Sequence, residues 1–171
     1  MIGLRVLSLR AIAIAITLGC SMTQPVWAME GLADRVIVKK SERKLYLMAG
    51  ETVMRAYDIA LGLVPDGDKV REGDFRTPEG SYTLTNRLLD SNFFLAIQVS
   101  YPNSDDVRQA KRLGLSPGGR IMIHGQPNEP KRSAAYYERT DWTNGCIAVS
   151  NAAMVDIWQL TTANTPVTIE P

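Results

Sequence analysis

Between Arg35 and Leu61 the apolar residues come in short runs spaced by two, and each run stops at a polar or glycine-bearing turn. Val36 and Val38 mark the first run. Leu45 and Leu47 follow the turn Ser41-Glu42-Arg43-Lys44, and Val53, Tyr57, Ile59 and Leu61 follow Ala49-Gly50-Glu51. A period of two over so few residues suits half-buried strands and excludes helices, so this stretch reads as an antiparallel meander. Ser81 to Thr85 and Phe93 to Ser100 read as two more strands, Arg120 to Ile123 as another ending on His124, and Pro166 to Ile169 as a closing edge strand. Two helices are signalled. One is capped by Asn103 or Ser104, with Asp105 and Asp106 in its first turn, Lys111 and Arg112 near its end and Gly114 as its stop, which matches the helix dipole. The other runs from about Asn151 to Leu160 behind Ser150, with Met154, Ile157, Trp158 and Leu160 toward the core. The expected architecture is mainly β with two short helices.

A chain of 171 residues supports one domain plus a short appendage. The N-terminus supplies the appendage. Arg5 and Arg10 precede the apolar stretch Ala11 to Leu18, and Val26-Trp27-Ala28 offers small residues for cleavage. This is the layout of a secretory signal peptide over residues 1–28, and the apolar stretch is too short to span a bilayer. The protein is therefore expected to be exported, to a periplasm or cell envelope. Thr17-Leu18-Gly19-Cys20 offers a second reading, a lipoprotein acylated on Cys20. Cleavage after Ala28 removes Arg5 and Arg10 and leaves 17 of the 19 basic residues against 18 acidic ones. That balance, without a basic patch, argues against nucleic acid as a partner.

Of the two cysteines, Cys146 alone remains after such cleavage, and His124 is the only histidine. A single thiol in an exported chain cannot form an internal disulfide and is a candidate reactive group. A thiolate attacks carbonyls, and a nearby imidazole generates or holds it. Gly145 keeps the backbone beside the sulfur bare, amides of Asn144, Gly145 and Cys146 can converge on an oxyanion, and Thr143 can tie down the turn. Gly125 follows His124 where its strand opens toward a cleft. The bland alternatives are a buried structural cysteine and a core histidine bonded to backbone. Gln126 to Asp141 is a long polar stretch, with Tyr136 and Tyr137, that reads as a lid over substrate. One His and one Cys do not complete a zinc site, and Asp66 to Gly80 lacks calcium-loop and phosphate-loop spacing. That segment reads as a solvated structural loop beside the site, and no metal is expected.

With His124-Gly125 and Thr143-Asn144-Gly145-Cys146 in view, the chain resembles the L,D-transpeptidase catalytic-domain family of bacterial cell-wall enzymes. Ala60-Leu61-Gly62, Gly73-Asp74-Phe75-Arg76-Thr77-Pro78-Glu79-Gly80-Ser81-Tyr82 and Ser116-Pro117-Gly118-Gly119 match supporting segments in the same order. The resemblance covers residues 34–170 and implies a β-sandwich of mixed sheets. It also implies that Cys146 is the acylated nucleophile and His124 its proton partner, with Thr143, Asn144, Gly145 and Gly125 around substrate. The implied substrate is a peptidoglycan stem peptide, cut with release of D-alanine and joined to another stem. No cofactor is implied, and carbapenem-type inhibitors are expected to acylate Cys146. Many members carry histidine where Asn144 stands and arginine or asparagine where Ala148 stands, so acceptor binding must be arranged differently here.

Ala148 motivates a competing reading, a hydrolase of the same site: a carboxypeptidase, or an endopeptidase that releases wall-attached protein. A papain-like peptidase would place cysteine before histidine, the reverse of this order. A non-catalytic wall-binding module would keep Cys146 buried and inert.

Overall fold

A computed structural model describes residues 31–171; the segment read as a signal peptide and Cys20 lie outside the described residues. Strands β1 (Arg35–Lys39), β2 (Lys44–Ala49) and β3 (Thr52–Asp58) form the expected antiparallel meander. Strands β4 (Gly80–Ser91) and β5 (Phe94–Val99) form a long hairpin, and helix α1 (Ser104–Arg112) follows. After it come β6 (Met122–His124), a short helix α2 (Ala134–Arg139), β7 (Ile147–Ala148), helix α3 (Asn151–Leu160) and β8 (Pro166–Glu170).

The strands make one mixed sheet in the order β3-β2-β1-β8-β4-β5-β6-β7. Strand β4 joins its two halves: residues 80–83 pair with β8, and residues beyond pair with β5. The sheet then folds back on itself. Ala60, just past β3, exchanges both backbone bonds with Ala148 of β7, each 2.8 Å long. This closure packs the inner faces of the two halves around one core that holds Val36, Val38, Leu45, Leu47, Leu84, Ile97, Ile123, Ile147, Val167 and Ile169.

Two expectations change. Strand β8 is no edge strand: it lies between β1, parallel to it, and β4, antiparallel to it. Its alternation is that of any half-buried strand, and its neighbours are set by contacts more than 80 residues away in sequence. The stretch Gln126 to Asp141 contains helix α2, capped by Ser133 Oγ, which accepts from Tyr136 N. The two expected helices lie where their caps placed them. Asn103 Oδ1 accepts from the amides of Asp105 and Asp106, and Asp106 returns a bond to Asn103 N. In α3 Met154 and Ile157 are fully buried, and Trp158 and Leu160 pack at the edge of the core.

Candidate active site

Strands β6 and β7 run parallel, with Ile123 beside Ile147 and His124 beside Ala148. That register sets Cys146, one residue before β7, alongside Met122, with His124 two residues further on the same face. Ile123 and Ile147 turn the other way and are fully buried. The apolar strand interiors thus fix the register that brings the Cys146 thiol and the His124 imidazole to one side. Met122, His124 and Cys146 line a common cleft of about 450 Å³, together with Leu88, Phe93 and Asn144.

His124 is 3% exposed. Its ring lies 4.6 Å from Phe93 and 5.6 Å edge-on from Trp142, centroid to centroid. This apolar burial pushes its pKa down to about 4, although the bond to Gly125 opposes the shift. Nδ1 lies 2.7 Å from the Gly125 carbonyl oxygen. A carbonyl only accepts, so Nδ1 carries the hydrogen and Nε2 keeps its lone pair as a base. The Gly125 carbonyl thereby orients the His124 ring. A Cβ on it would lie 2.5 Å from Asn151 Oδ1 and 3.0 Å from Phe94 Cβ.

The turn that carries Cys146 is tied internally. Thr143 Oγ1 accepts from Gly145 N at 3.1 Å and donates to the Cys146 carbonyl at 2.7 Å. The Gly145 amide, one of the three expected oxyanion donors, is therefore already bonded to Thr143. Gly145 itself has φ +125°, and a Cβ there would stand 2.5 Å from the Arg76 carbonyl oxygen. Thr143 is buried, whereas Asn144 is exposed and lines the two clefts that reach the sulfur. Cys146 Sγ lies 3.7 Å from the Arg120 carbonyl oxygen. Burial raises the thiol pKa, while a backbone bond from Met122 and the charge of Lys69 act to lower it.

A second cleft of about 300 Å³ also reaches Cys146, between Lys69, Glu72, Phe75, Gly118, Gly119 and Arg120. Its wall belongs to the segment expected to be a solvated loop beside the site; the segment lies there, but part of it is buried. Lys69 is 4% exposed and Thr77 is fully buried. Asp74 accepts from Lys69 Nζ at 2.7 Å and from the amides of Val70, Arg71 and Arg76. Burial alone would raise the Asp74 carboxyl; these donors overcome it and hold the pKa at about 2. Thr77 Oγ1 accepts from Gly62 N, and the Phe75 carbonyl sits where a Cβ of Gly62 would be. The loop is thus clamped against the turn that holds the nucleophile. Phe93, Trp142 and Arg120 also belong to the site and carried no signal of their own in the sequence.

Size alone does not locate this site. A larger depression, about 990 Å³, is lined by Arg43, Tyr137, Asp141, Ala148 and others and reaches neither Cys146 nor His124. Trp142 touches Tyr137 of that depression, rings 5.1 Å apart, and His124 of the cleft, rings 5.6 Å apart. Among the described residues, no three His, Cys, Asp or Glu side chains group closely enough to hold a metal ion.

A closed mixed sheet that presents a cysteine turn beside a tautomer-fixed histidine is the arrangement of the class of enzymes outlined by the motifs. The family model for the L,D-transpeptidase catalytic domain (YkuD) matches residues 33–169, and the chain belongs to that family. It is 32% identical over 130 residues to YafK of Escherichia coli (strain K12), a candidate L,D-transpeptidase, and covers 72% of this chain and 45% of YafK. The crystal structure of the helical cell shape determining protein Pgp2 from Campylobacter jejuni is similar at TM-score 0.59 and 27% identity, over 82% of this chain and 49% of Pgp2. An L,D-transpeptidase, LdtMt1, solved in complex with imipenem, shares the fold at TM-score 0.50 and 16% identity, over 78% of this chain and 57% of that one. The chain spans about half the length of YafK and Pgp2.

Proposed function

We propose that this protein is a cysteine acyltransferase acting on peptidoglycan stem peptides outside the cytoplasmic membrane, in cell-wall organisation and cell shape. The observation that carries the reading is the shared cleft of Cys146 and His124, with the histidine held as the Nε2-basic tautomer by Gly125. At neutral pH the imidazole is unprotonated and the thiol protonated, so the reaction begins from a neutral pair. Nε2 takes the thiol proton as sulfur bonds to the scissile carbonyl carbon, and the amides of Asn144 and Cys146 face the oxygen that becomes negative. Collapse breaks the C–N bond, and Nε2 returns the proton to the departing D-alanine amine. The thioester on Cys146 is then attacked by an amine of a second stem, whose proton passes to Nε2 and on to the leaving sulfur. Water in place of that amine gives hydrolysis.

Membership of the L,D-transpeptidase family and the likeness to a cell-shape determinant support the substrate class. Imipenem in the LdtMt1 structure supports acylation of Cys146 by carbapenems. The test is mass spectrometry of the protein with a diaminopimelate tetrapeptide muropeptide, beside Cys146→Ala. Loss of D-alanine with crosslinked dimers, absent in the variant, is expected. Tripeptide monomers alone would reassign the protein as a carboxypeptidase, and no turnover by either protein would sink the proposal.

A further inference from the structure

Two cationic side chains line the clefts that meet at Cys146, and they differ in what they are free to do. Lys69 is buried and spends its ammonium on Asp74 and on the Arg71 carbonyl. Arg120 lines both clefts, its side chain is exposed, and its guanidinium has no hydrogen bond or ion pair among the described residues. Its backbone is unusual as well. Arg120 has φ +56°, a left-handed conformation that is strained for a residue with a Cβ. Gly118 and Gly119 precede it and would adopt that conformation freely, as Gly118 does at φ +77°. The left-handed position that turns its carbonyl toward Sγ is nonetheless an arginine. Backbone strain and an uncommitted guanidinium therefore coincide at the residue that touches the nucleophile.

The anionic groups nearby do not satisfy it. Glu72 packs against Gly118, where an added Cβ would meet its side chain at 3.1 Å. Asp90 lies with Ser91 and Asn92 at the hairpin end of the wider cleft. From this placement we infer that Arg120 is a specificity-determining residue that binds a substrate carboxylate next to the scissile carbonyl, the free terminal carboxylate of the leaving residue. A guanidinium matches that group by two parallel N–H···O bonds, geometry that an amidated end cannot repay in charge. The inference rests on the acyl-transfer reading for its substrate, and its test does not.

Iodoacetate and iodoacetamide alkylate the same sulfur and differ in one carboxylate, so their rate ratio at Cys146 reads the anion site and cancels changes in thiolate fraction. In Arg120→Gln the iodoacetate to iodoacetamide ratio is expected to fall about tenfold, in line with one lost charge-assisted contact. Arg120→Lys should keep most of it. Arg112→Gln removes the same charge from the end of α1 and should leave the ratio unchanged. Arg120→Asn, which tolerates the left-handed backbone, gives a second reading if the glutamine variant is unstable. An unchanged ratio in both Arg120→Gln and Arg120→Asn, or an equal fall in Arg112→Gln, overturns the assignment. With the muropeptide, Arg120→Gln should raise KM for the free acid with little change in kcat, and a terminal carboxamide should erase the difference from wild type. A shifted alkylation ratio in a protein that turns over no muropeptide would keep the carboxylate site and discard the acyl-transfer reading.

Discussion

At the scale of single residues, the chemistry hangs on how His124 is surrounded. Phe93 and Trp142 remove water from its ring, and Gly125 fixes its proton on Nδ1. The folded protein holds the histidine pKa at about 4, below the unfolded value of about 6.5. Between those values the unfolded chain binds the extra proton, so stability rises with pH across the window and is lost as pH falls from about 6.5 toward 4. The loss should reach at most about 3 kcal/mol, and His124→Gln should flatten that part of a urea-denaturation profile. A histidine contribution that peaked below pH 6 would contradict the burial seen here. The acid limb of kcat/KM should sit near pH 4 to 5, well below an ordinary imidazole. Gly145 bears a second prediction. Gly145→Ala puts a Cβ on the Arg76 carbonyl at a positive φ, so it should cost about 2 kcal/mol or more and move the Cys146 turn. Thermal melting and the iodoacetamide rate at Cys146 read the two effects separately.

At the scale of elements, the site is a turn pinned between two connections that look unstructured in sequence. Asp74 organises one of them by accepting four hydrogen bonds at once. Asp74→Asn would leave Lys69 as a buried charge without its partner, which costs about 3 kcal/mol by analogy with broken buried pairs. Because the Asp74 pKa is held down at about 2, its stabilisation is present above the unfolded value and is lost between about pH 4 and 2. Chemical denaturation of wild type and variant at pH 7 and pH 3 should show the gap narrowing at the lower pH, and a constant gap would exclude the linkage. Helices α1 and α3 were legible because Asn103 and Ser150 cap them through bonds that span three residues. Helix α2 was not, since six residues give no period, and its anchor is tertiary: Trp142 Nε1 donates to the Tyr137 carbonyl and its ring packs on Tyr137. The 66–80 loop reads as wholly solvated for a related reason. Lys69 and Asp74 read as solvated charges until the fold supplies each with the other. His124 stands out as the one histidine and Cys146 as the one cysteine past the expected signal peptide, while Phe93, Trp142 and Arg120 gain meaning only from what they lie against.

At the scale of the whole molecule, the strand read as a closing edge lies inside the sheet. Strand β8 pairs with β1 through Val36 to Lys39 on one side and with β4 through Gly80 to Thr83 on the other. Val167 and Ile169 are buried at 1% and 2% exposure. Burying two such side chains is worth roughly 3 to 6 kcal/mol, against a total stability of about 5 to 15 kcal/mol for an ordinary domain. Removing the strand also strips hydrogen-bond partners from β1 and β4 together, leaving two open edges inside the sheet. A chain ending at Thr165 should therefore lose its cooperative thermal transition, although every residue of the Cys146 and His124 cleft is still present. Its Cys146 should react with iodoacetamide like a free thiol at every pH, without the upward pKa shift that burial imposes. Strands β1 and β8, far apart in sequence, must also meet before this sheet closes, so folding should be slow for a domain this size, on the order of milliseconds to seconds. A truncated chain that still melted cooperatively would mean that the Ala60–Ala148 closure and the β4–β5 hairpin hold the site by themselves, and that β8 merely seals a structure already formed.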